Sequence, residues 1–362
     1  MNSSSIYILV FVQLWLLSLP CRESVCIPSE CETLMKIKNN LNDPSNRLWS
    51  WNHNHTNCCH WYGVLCHNLT SHVLQLHLSS SHSPFDDDYN WEAYRRWIFG
   101  GEISPCLADL KHLNYLDLSA NVFLGEGMSI PSFLWTMTSL THLNLALTSF
   151  MGKIPPQIGN LSKLRYLDLS FNYFLGEGMA IPSFLCAMSS LTHLDLSGTV
   201  FHGKIPPQIG NLSNLVYLDL SSVVANGTVP SQIGNLSKLR YLDLSGNEFL
   251  GEGMAIPSFL CAITSLTHLD LSLTGLMGKI PSQIGNLSNL VYLGLGGHSV
   301  VEPLFAENVE WLSSMWKLEY LHLSNASLSK AFHWLLLGAS CITDFEGQFL
   351  QKFKGEREEL TR

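Results

Sequence analysis

Leucines recur along most of the chain in the spacing L-x-x-L-x-L. Successive copies of this pattern begin 24 to 28 residues apart. They start at Leu113, Leu140, Leu164, Leu191, Leu215, Leu239, Leu266, Leu290 and Leu318, and a variant copy precedes them at Val73, Leu76 and Leu78. Because alternate residues of a strand point to the same side, each copy predicts a short strand with an apolar inner face, followed by a turn and a return segment. The period predicts a repeat solenoid in which each unit packs on its neighbours.

The residues after each strand have predictable roles. A buried asparagine amide can satisfy backbone groups of its own turn and of the next repeat, and a threonine hydroxyl can do part of this. These positions are Asn121, Asn172 and Asn247, and Thr148, Thr199 and Thr274. Two residues later, phenylalanines are expected to stack as one buried file: Phe123, Phe150, Phe174, Phe201 and Phe249.

A longer interval separates the first copy from Leu113. It holds a polar stretch from Ser79 to Tyr89 and then an aromatic and basic cluster: Trp91, Tyr94, Arg95, Arg96 and Trp97. We interpret this interval as one enlarged repeat that carries an exposed loop.

A second periodicity lies over the first. Residues 164–221 and 239–296 are 75 positions apart and differ at 11 of 58 positions, so a three-repeat block has been duplicated. Eight of the differences fall on outward strand positions or on the loop just after the strand. Two interpretations stay open: core positions are held by packing while exposed ones drift, or this edge is a binding surface.

The repeated unit L-x-x-L-x-L-S-x-N-x-F-x-G-x-I-P-x-x-I-G-N-L resembles the plant extracellular leucine-rich repeat over roughly residues 25 to 328. The Leu-Trp-Ser-Trp segment at 48–51 and the cysteine-containing run at 58–66 resemble the N-terminal cap of that family. The resemblance implies an α/β-type repeat solenoid: a right-handed curved superhelix with a parallel concave sheet and a helical N-terminal cap.

The same resemblance implies two cap disulfides, Cys26 to Cys58 and Cys59 to Cys66. Cys31 has no counterpart in the pattern and creates a risk of mispairing. Cys186 and Cys261 lie three repeats apart, about 14 Å at the ~4.8 Å spacing of strands, so we expect two buried thiols and no bond between them.

Four segments are predicted. Residues 1–24 form a signal peptide, 25–66 the cap, 67–328 a solenoid of about ten repeats, and 329–362 an atypical tail. Cleavage is expected near Cys21 or Ser24, with an uncleaved signal anchor as the alternative because no Lys or Arg precedes Ile6. No later apolar stretch reaches the ~18 to 20 residues that a membrane span requires.

The tail has two interpretations. It is an aberrant ending produced by truncation or alternative processing, or Ala331 to Leu337 forms a short helix that covers the open end of the solenoid. Cys341 has no nearby cysteine to pair with.

Composition excludes some partners. A formal net charge of −9 and a pI near 5.9 give no general attraction to nucleic acid or anionic lipid. Ten cysteines and eight N-glycosylation sequons beyond the signal peptide agree with an oxidising secretory route. The sequons are Asn54, Asn68, Asn160, Asn211, Asn226, Asn235, Asn286 and Asn325.

Catalytic motifs are missing from the sequence: it has no P-loop, kinase signature, nucleophile elbow or His-Glu-x-x-His helix. Ser, His and Asp recur on the strands as parts of the repeated unit, so no enzyme and no cofactor are predicted. The histidines at 53, 55, 60, 67 and 72 with Cys59 and Cys66 allow a zinc site on paper, but disulfides are favoured and no metal is predicted.

Aromatic residues occupy one outward position on successive strands, beside a column of aspartates. Tyr gives contact area at low entropic cost and Asp attracts cationic groups, so a recognition face is predicted. The alternative is that these residues recur only because they belong to the repeat consensus and bind no ligand. The predicted residues are Tyr115, His142, Tyr166, His193, Tyr217, Tyr241, His268 and Tyr292, with Asp168, Asp195, Asp243 and Asp270. The histidines of this face, His142, His193 and His268, are two or three strands apart, so no two of them can share a metal ion.

By resemblance, the chain is expected to be the ectodomain of a plant receptor-like protein. Such proteins perceive microbial or peptide signals in defence or development, through an extracellular protein or peptide ligand and a co-receptor kinase. The expected location is the apoplast for the chain as written and the plasma membrane for the family. The alternative is a freestanding secreted protein that inhibits a foreign cell-wall-degrading enzyme. The lack of a span favours this alternative, whereas the duplicated block and the enlarged repeat favour the receptor.

Overall fold

The computed structural model describes residues 26–54, 57–80, 91–297 and 304–327. Its main element is a sheet that has eleven strands within these ranges. Val64–Cys66 pairs antiparallel with Val73–His77, and from there each strand pairs in parallel with the next. The following strands are Tyr115–Asp117, His142–Asn144, Tyr166–Asp168, His193–Asp195, Tyr217–Asp219, Tyr241–Asp243, His268–Asp270, Tyr292–Gly294 and Tyr320–His322. The predicted leucine-rich-repeat solenoid with a long parallel sheet is confirmed.

Short 3₁₀ helices form the return segments opposite the long sheet. Several begin at or just after a proline, whose fixed φ suits a helix start where no N–H partner is needed. They span Pro105–Asp109, Ser132–Thr136, Pro156–Asn160, Leu185–Ala187, Pro207–Asn211, Ser231–Asn235, Leu260–Ala262, Ser282–Asn286 and Glu310–Ser314. Short second strands lie between the two sides: Gly100–Gly101, Met151–Gly152, Phe174–Leu175, Gly203–Lys204, Ala225–Gly227, Phe249–Leu250, Gly278–Lys279 and Leu304–Phe305.

The interior is one continuous apolar core. In a typical repeat the three strand leucines Leu164, Leu167 and Leu169 are fully buried. Residues of neighbouring repeats cover them, so no single repeat buries its own apolar face. This packing fixes which strand residues point outward, and those residues make the candidate site.

The buried asparagines connect each repeat to the one before it. The Asn172 side-chain amide donates to the Leu145 carbonyl at 2.8 Å and the Leu169 carbonyl at 2.9 Å, and its oxygen accepts from the Phe150 N–H at 2.9 Å. The sequence predicted a link to the next repeat, which is wrong, because the carbonyl within reach belongs to Leu145, the residue that follows the preceding strand. Thr199 bonds only the Leu196 carbonyl of its own turn, as a single hydroxyl allows.

The expected file of buried phenylalanines is only partly present. Phe150 and Phe201 are fully buried, whereas Phe174 is 60% exposed and Phe249 is 54% exposed. In the exposed cases the next residue, Leu175 or Leu250, enters the core instead. The Leu175 and Leu250 N–H groups bond back to the preceding asparagine carbonyls at 2.9 Å, so the tight turn moves the inward position by one residue.

The cap closes the first repeat. Helix α1 (Pro28–Asn40) is followed by strand Leu41–Asn42 and by 3₁₀ turns at Arg47–Ser50 and Cys58–His60. Disulfides join Cys26 to Cys58 and Cys59 to Cys66, the pairing that the resemblance implies, with Cα separations of 5.3 and 5.4 Å. Since Cys59 and Cys66 are bonded to each other, they offer no thiolates for the zinc site considered above.

The enlarged repeat is more than a loop. Its described part forms helix α2 (Trp91–Trp97), and Gly100–Gly101 then pairs antiparallel with the cap strand Leu41–Asn42. The Arg47 guanidinium lies 4.3 Å from the centre of the buried Phe99 ring and donates to the Trp97 carbonyl at 2.8 Å. The enlarged repeat therefore packs against the cap through a strand pair and through the contacts of Arg47.

The signal segment 1–24, the polar stretch at 81–90 and the tail from 329 lie outside the described residues, and so do Cys341 and the helix expected at 331–337. Among the residues that are described, no helix is both long and apolar enough to cross a membrane.

Candidate recognition face

The predicted aromatic residues form one continuous stack on the outer face of the long sheet. Neighbouring rings lie 3.9 to 4.3 Å apart between centroids and within 9 to 15° of parallel. We call this stack the aromatic column: Tyr115, His142, Tyr166, His193, Tyr217, Tyr241, His268 and Tyr292. Each ring covers the faces of its neighbours, so the side chains are partly buried and not freely exposed. A partner would meet mainly ring edges and hydroxyls.

The aspartates occupy the strand position two residues after the rings and form a second column beside them. Asp168, Asp195 and Asp270 are only 8 to 9% exposed, which corrects the expectation that they stand on the surface to attract cationic groups. Two further members, Asp117 and Asp219, were left out of the predicted site although they occupy the same strand position. The Asp168 Oδ2 atom accepts from the Tyr166 hydroxyl at 3.3 Å, and its Oδ1 atom accepts from the Ser170 N–H at 2.9 Å and the Ser170 hydroxyl at 2.7 Å.

Burial sets the electrostatics of the two columns. Desolvation, together with the neighbouring carboxylates Asp168 and Asp219, raises the pKa of Asp195 to about 7. Desolvation and the charge of Asp219 raise the pKa of Asp243 to about 6. In contrast, desolvation lowers the pKa of His193 to about 4, so this imidazole is neutral at neutral pH. The face is consequently less charged than its sequence indicates.

An exposed apolar pocket lies at the edge of the sheet, just after the strands. A cavity of about 390 Å³ is lined by Tyr173, Phe174, Glu177, Gly178, Val200, His202 and Val224, and we call it the edge pocket. Phe174 was expected in the buried file, and its exposed position beside this pocket was not predicted. A signal for it exists: Phe-Leu-Gly-Glu-Gly occurs in the three 27-residue repeats, and in the 24-residue repeats the Phe is not followed by Leu.

The sequons lie away from the aromatic column. Asn160, Asn211, Asn235 and Asn286 end 3₁₀ helices on the side opposite the long sheet, and all four are exposed. The other four, Asn54, Asn68, Asn226 and Asn325, are also exposed, and none of the eight lies within a strand of the long sheet. Their glycosylation stays a prediction.

Metal-ligating side chains come together in two places on the sheet. Asp168, His193 and Asp195 form one group, and Asp243, His268 and Asp270 form the other. In the part of the chain that the structure describes, the other groups of this kind consist of cap cysteines, most of them in the disulfides.

Sequence models of three families match the chain. The leucine rich repeat N-terminal domain matches residues 27–67, the leucine rich repeat matches 139–161 and 163–188, and the leucine-rich repeat region matches 176–345. Receptor-like protein 49 of Arabidopsis thaliana is 38% identical over 282 residues, which are 76% of this chain and 29% of the relative. Receptor-like protein EIX1 of Solanum lycopersicum is 35% identical over 181 residues, 49% of this chain and 17% of the relative. The chain thus spans less than a third of either relative.

Solved structures show the same architecture. The Arabidopsis receptor kinase HAESA, in complex with the peptide hormone IDA and the co-receptor SERK1, superposes with a TM-score of 0.69 at 28% identity over 83% of this chain and 46% of HAESA. The plant peptide hormone receptor RGFR1, in complex with RGF2, gives a TM-score of 0.51 at 29% identity over 63% of this chain and 39% of that receptor. A plant ice-binding protein shares the fold, with a TM-score of 0.60 at 24% identity over 84% of this chain and 98% of that protein.

Proposed function

Because the chain belongs to the plant leucine-rich-repeat receptor-like proteins and has the fold of their ectodomains, we propose that it recognises a microbial or peptide signal outside the cell. Ectodomains of this family are protein- and peptide-binding modules and not enzymes. The signal we propose acts in defence or development.

One observation carries this proposal: an open apolar pocket lies next to a sheet face without sequons. Tyr173 is 51% exposed and Phe174 is 60% exposed beside it, and such contiguous exposed aromatic surface is uncommon unless a partner covers it. The aromatic column crosses eight strands, among them those of the repeats that line the pocket, which gives an elongated surface suited to an extended chain. The ligand we propose is a peptide or protein segment that places an apolar side chain in the edge pocket.

The partners we propose are inferred from a solved structure of the same fold. HAESA was solved with a peptide hormone and a co-receptor, which supports an extracellular peptide and a co-receptor kinase as the partners of this chain too. The proposed location is the cell surface or the apoplast, where disulfides such as those of the cap persist.

The test uses the secreted, glycosylated chain. Peptides selected on it from a random display library are measured against a variant with Tyr166→Ala and Tyr241→Ala, and against a control with Lys153→Ala, Lys204→Ala and Lys279→Ala. We expect the first variant to weaken binding at least about tenfold, equivalent to about 1.4 kcal/mol, and the control to change it little. Equal losses in both variants would remove the assignment of binding to the sheet face.

A further inference from the structure

Two histidines of the aromatic column each face a pair of carboxylates. The ligand atoms of Asp168, His193 and Asp195 all lie within 4.8 Å of one another. The same holds for Asp243, His268 and Asp270, which occupy the matching positions of the duplicated block. Each group joins a histidine to the aspartate of its own strand and to the aspartate of the preceding strand.

Tyrosines at this position bridge the two carboxylates with a hydroxyl. The Tyr217 hydroxyl lies 3.3 Å from the Asp219 Oδ2 atom and 3.4 Å from the Asp195 Oδ2 atom. The Tyr241 hydroxyl lies 3.5 Å from Oδ2 atoms of Asp219 and Asp243. A tyrosine therefore places a proton donor between neighbouring carboxylates, which offsets part of their repulsion.

Histidine is shorter than tyrosine and leaves this bridge unmade. The Nε2 atoms of His193 and His268 are buried and have no hydrogen-bond partner. An unsatisfied buried nitrogen costs about 1 to 3 kcal/mol, and a ligand bound at this atom would offset that cost at both matching positions. The neutral imidazole has a lone pair, which a metal ion can accept.

Hydrogen bonds hold the carboxylates of the first group, Asp168 and Asp195, in a fixed orientation. Asp168 and Asp195 each accept two bonds at Oδ1 from the serine two residues later, namely Ser170 and Ser197. These bonds fix the orientation of the carboxylates, as outer-shell partners of metal ligands commonly do. Two buried carboxylates side by side repel each other, and a divalent cation between them offsets this repulsion.

His142 provides a natural comparison inside the same column. It stacks between Tyr115 and Tyr166 as the other histidines stack between their neighbours. The preceding strand offers it Asp117, but its own strand carries Asn144 in place of the second aspartate. This position therefore has the imidazole without the carboxylate pair.

We propose that Asp168, His193 and Asp195 form one binding site for a divalent transition-metal ion of the zinc type, and that Asp243, His268 and Asp270 form a second. One nitrogen and two carboxylates suit zinc, whereas calcium takes only oxygens. Nitrogen and oxygen ligands on one tetrahedral zinc ion lie about 3.3 to 3.6 Å apart, so any of the three separations that is near the 4.8 Å limit has to shorten when the ion binds. The two ions would lie three strands apart, about 14 Å, and bind independently.

The test measures zinc bound to the secreted chain after EDTA treatment, by isothermal titration and by metal analysis of the dialysed protein. The variants are His193→Tyr, His268→Tyr and both together, because the column already accepts tyrosine at this position. The matched control is His142→Tyr. We expect each single variant to lose one zinc ion per chain, the double variant to lose two, and the control to lose none.

Two further measurements separate the sites from other zinc-binding surfaces. Asp195→Asn should lose the same single ion as His193→Tyr, and Ca²⁺ should bind the wild-type chain at least about a hundredfold more weakly than Zn²⁺ at these sites. Unchanged zinc stoichiometry in the double variant would overturn the proposal. A loss in His142→Tyr as large as in His193→Tyr would also overturn it, because imidazole alone would then account for binding.

Discussion

The two copies of the duplicated block, residues 164–221 and 239–296, share one interior and differ at one edge. Asn172 and Asn247 make the same three bonds to their turn and to the preceding repeat. Cys186 and Cys261 are buried in equivalent 3₁₀ helices. The sheet edge, by contrast, has an apolar pocket in the first copy, and the second copy has other residues at several of the matching positions.

The substitutions explain this contrast. Tyr173, Val200 and His202 line the edge pocket, and their counterparts in the second copy are Glu248, Gly275 and Met277. A charged residue and a glycine remove much of the apolar lining that the first copy offers. The interior is held by packing, since close-packed side chains tolerate few changes, whereas the edge differs between the two copies. The first copy is therefore the better candidate for ligand contact.

The largest effects are expected where the two copies are alike. Asn172→Ala and Asn247→Ala each remove three hydrogen bonds to buried backbone groups, which should lower the free energy of unfolding by about 3 to 5 kcal/mol. Urea unfolding followed by circular dichroism measures this. Asn214→Ala is the control: it removes two exposed bonds, one to the Ser189 carbonyl and one from the Lys238 amine, and should cost less than about 1 kcal/mol. Losses that differ greatly between the two copies would break the structural equivalence.

The next effect should distinguish the copies by their distance from the cap. Cys59→Ser removes the Cys59–Cys66 disulfide and should destabilise the N-terminal repeats by about 2 to 5 kcal/mol. Because each repeat is stabilised mainly by its neighbours, hydrogen exchange should rise more in 164–221 than in 239–296. Cys106→Ser, a thiol outside both disulfides, is the control. An equal rise in both copies would mean that the solenoid unfolds as one unit.

Giving the first copy the sheet edge of the second copy should change stability little and ligand binding strongly. Tyr173→Glu with Val200→Gly and His202→Met gives the first copy the edge of the second and should alter the free energy of unfolding by less than about 1 kcal/mol. Peptides selected on the wild-type chain should bind at least about tenfold more weakly. The matched control is the opposite exchange at Glu248 and Met277, which should leave their affinity unchanged; Gly275 is kept because a Cβ there would lie 2.7 Å from the Glu248 carbonyl oxygen. Retained binding in the first variant would favour simple drift of exposed positions.

The smallest effect concerns the equivalent thiols. Burial raises the pKa of Cys186 to about 12 and the pKa of Cys261 to about 11, so at pH 8 only about one thiol in a thousand or fewer is ionised. Both should resist iodoacetamide in the folded chain, and both should react after denaturation, as mass spectrometry of peptides can show. Rapid labelling of only one of them in the folded chain would show that the two interiors differ.

Much of the site could be predicted from the sequence, because its residues recur at a fixed position of a regular strand. The aromatic column was identified in full, since strand alternation determines which residues point outward. The burial of Asp168 and Asp195 could not be predicted from strand alternation, because it depends on how closely the side chains of neighbouring strands pack around them. Phe174 was misplaced for a related reason: Phe174 and Leu175 are both apolar, and only the turn geometry decides which of them enters the core.

The sequence alone determined the repeat, its strand register and the side of each strand that faces the core, because these depend on local periodicity and on burial of leucine. Only the tertiary structure decided what neighbouring repeats bring together. The unbonded Nε2 atom of His193 lies between carboxylates 2 and 25 positions away in sequence, and the edge pocket joins residues of three successive repeats. Such contacts depend on the lateral spacing of strands and on side-chain length, and the pattern of a single repeat contains neither.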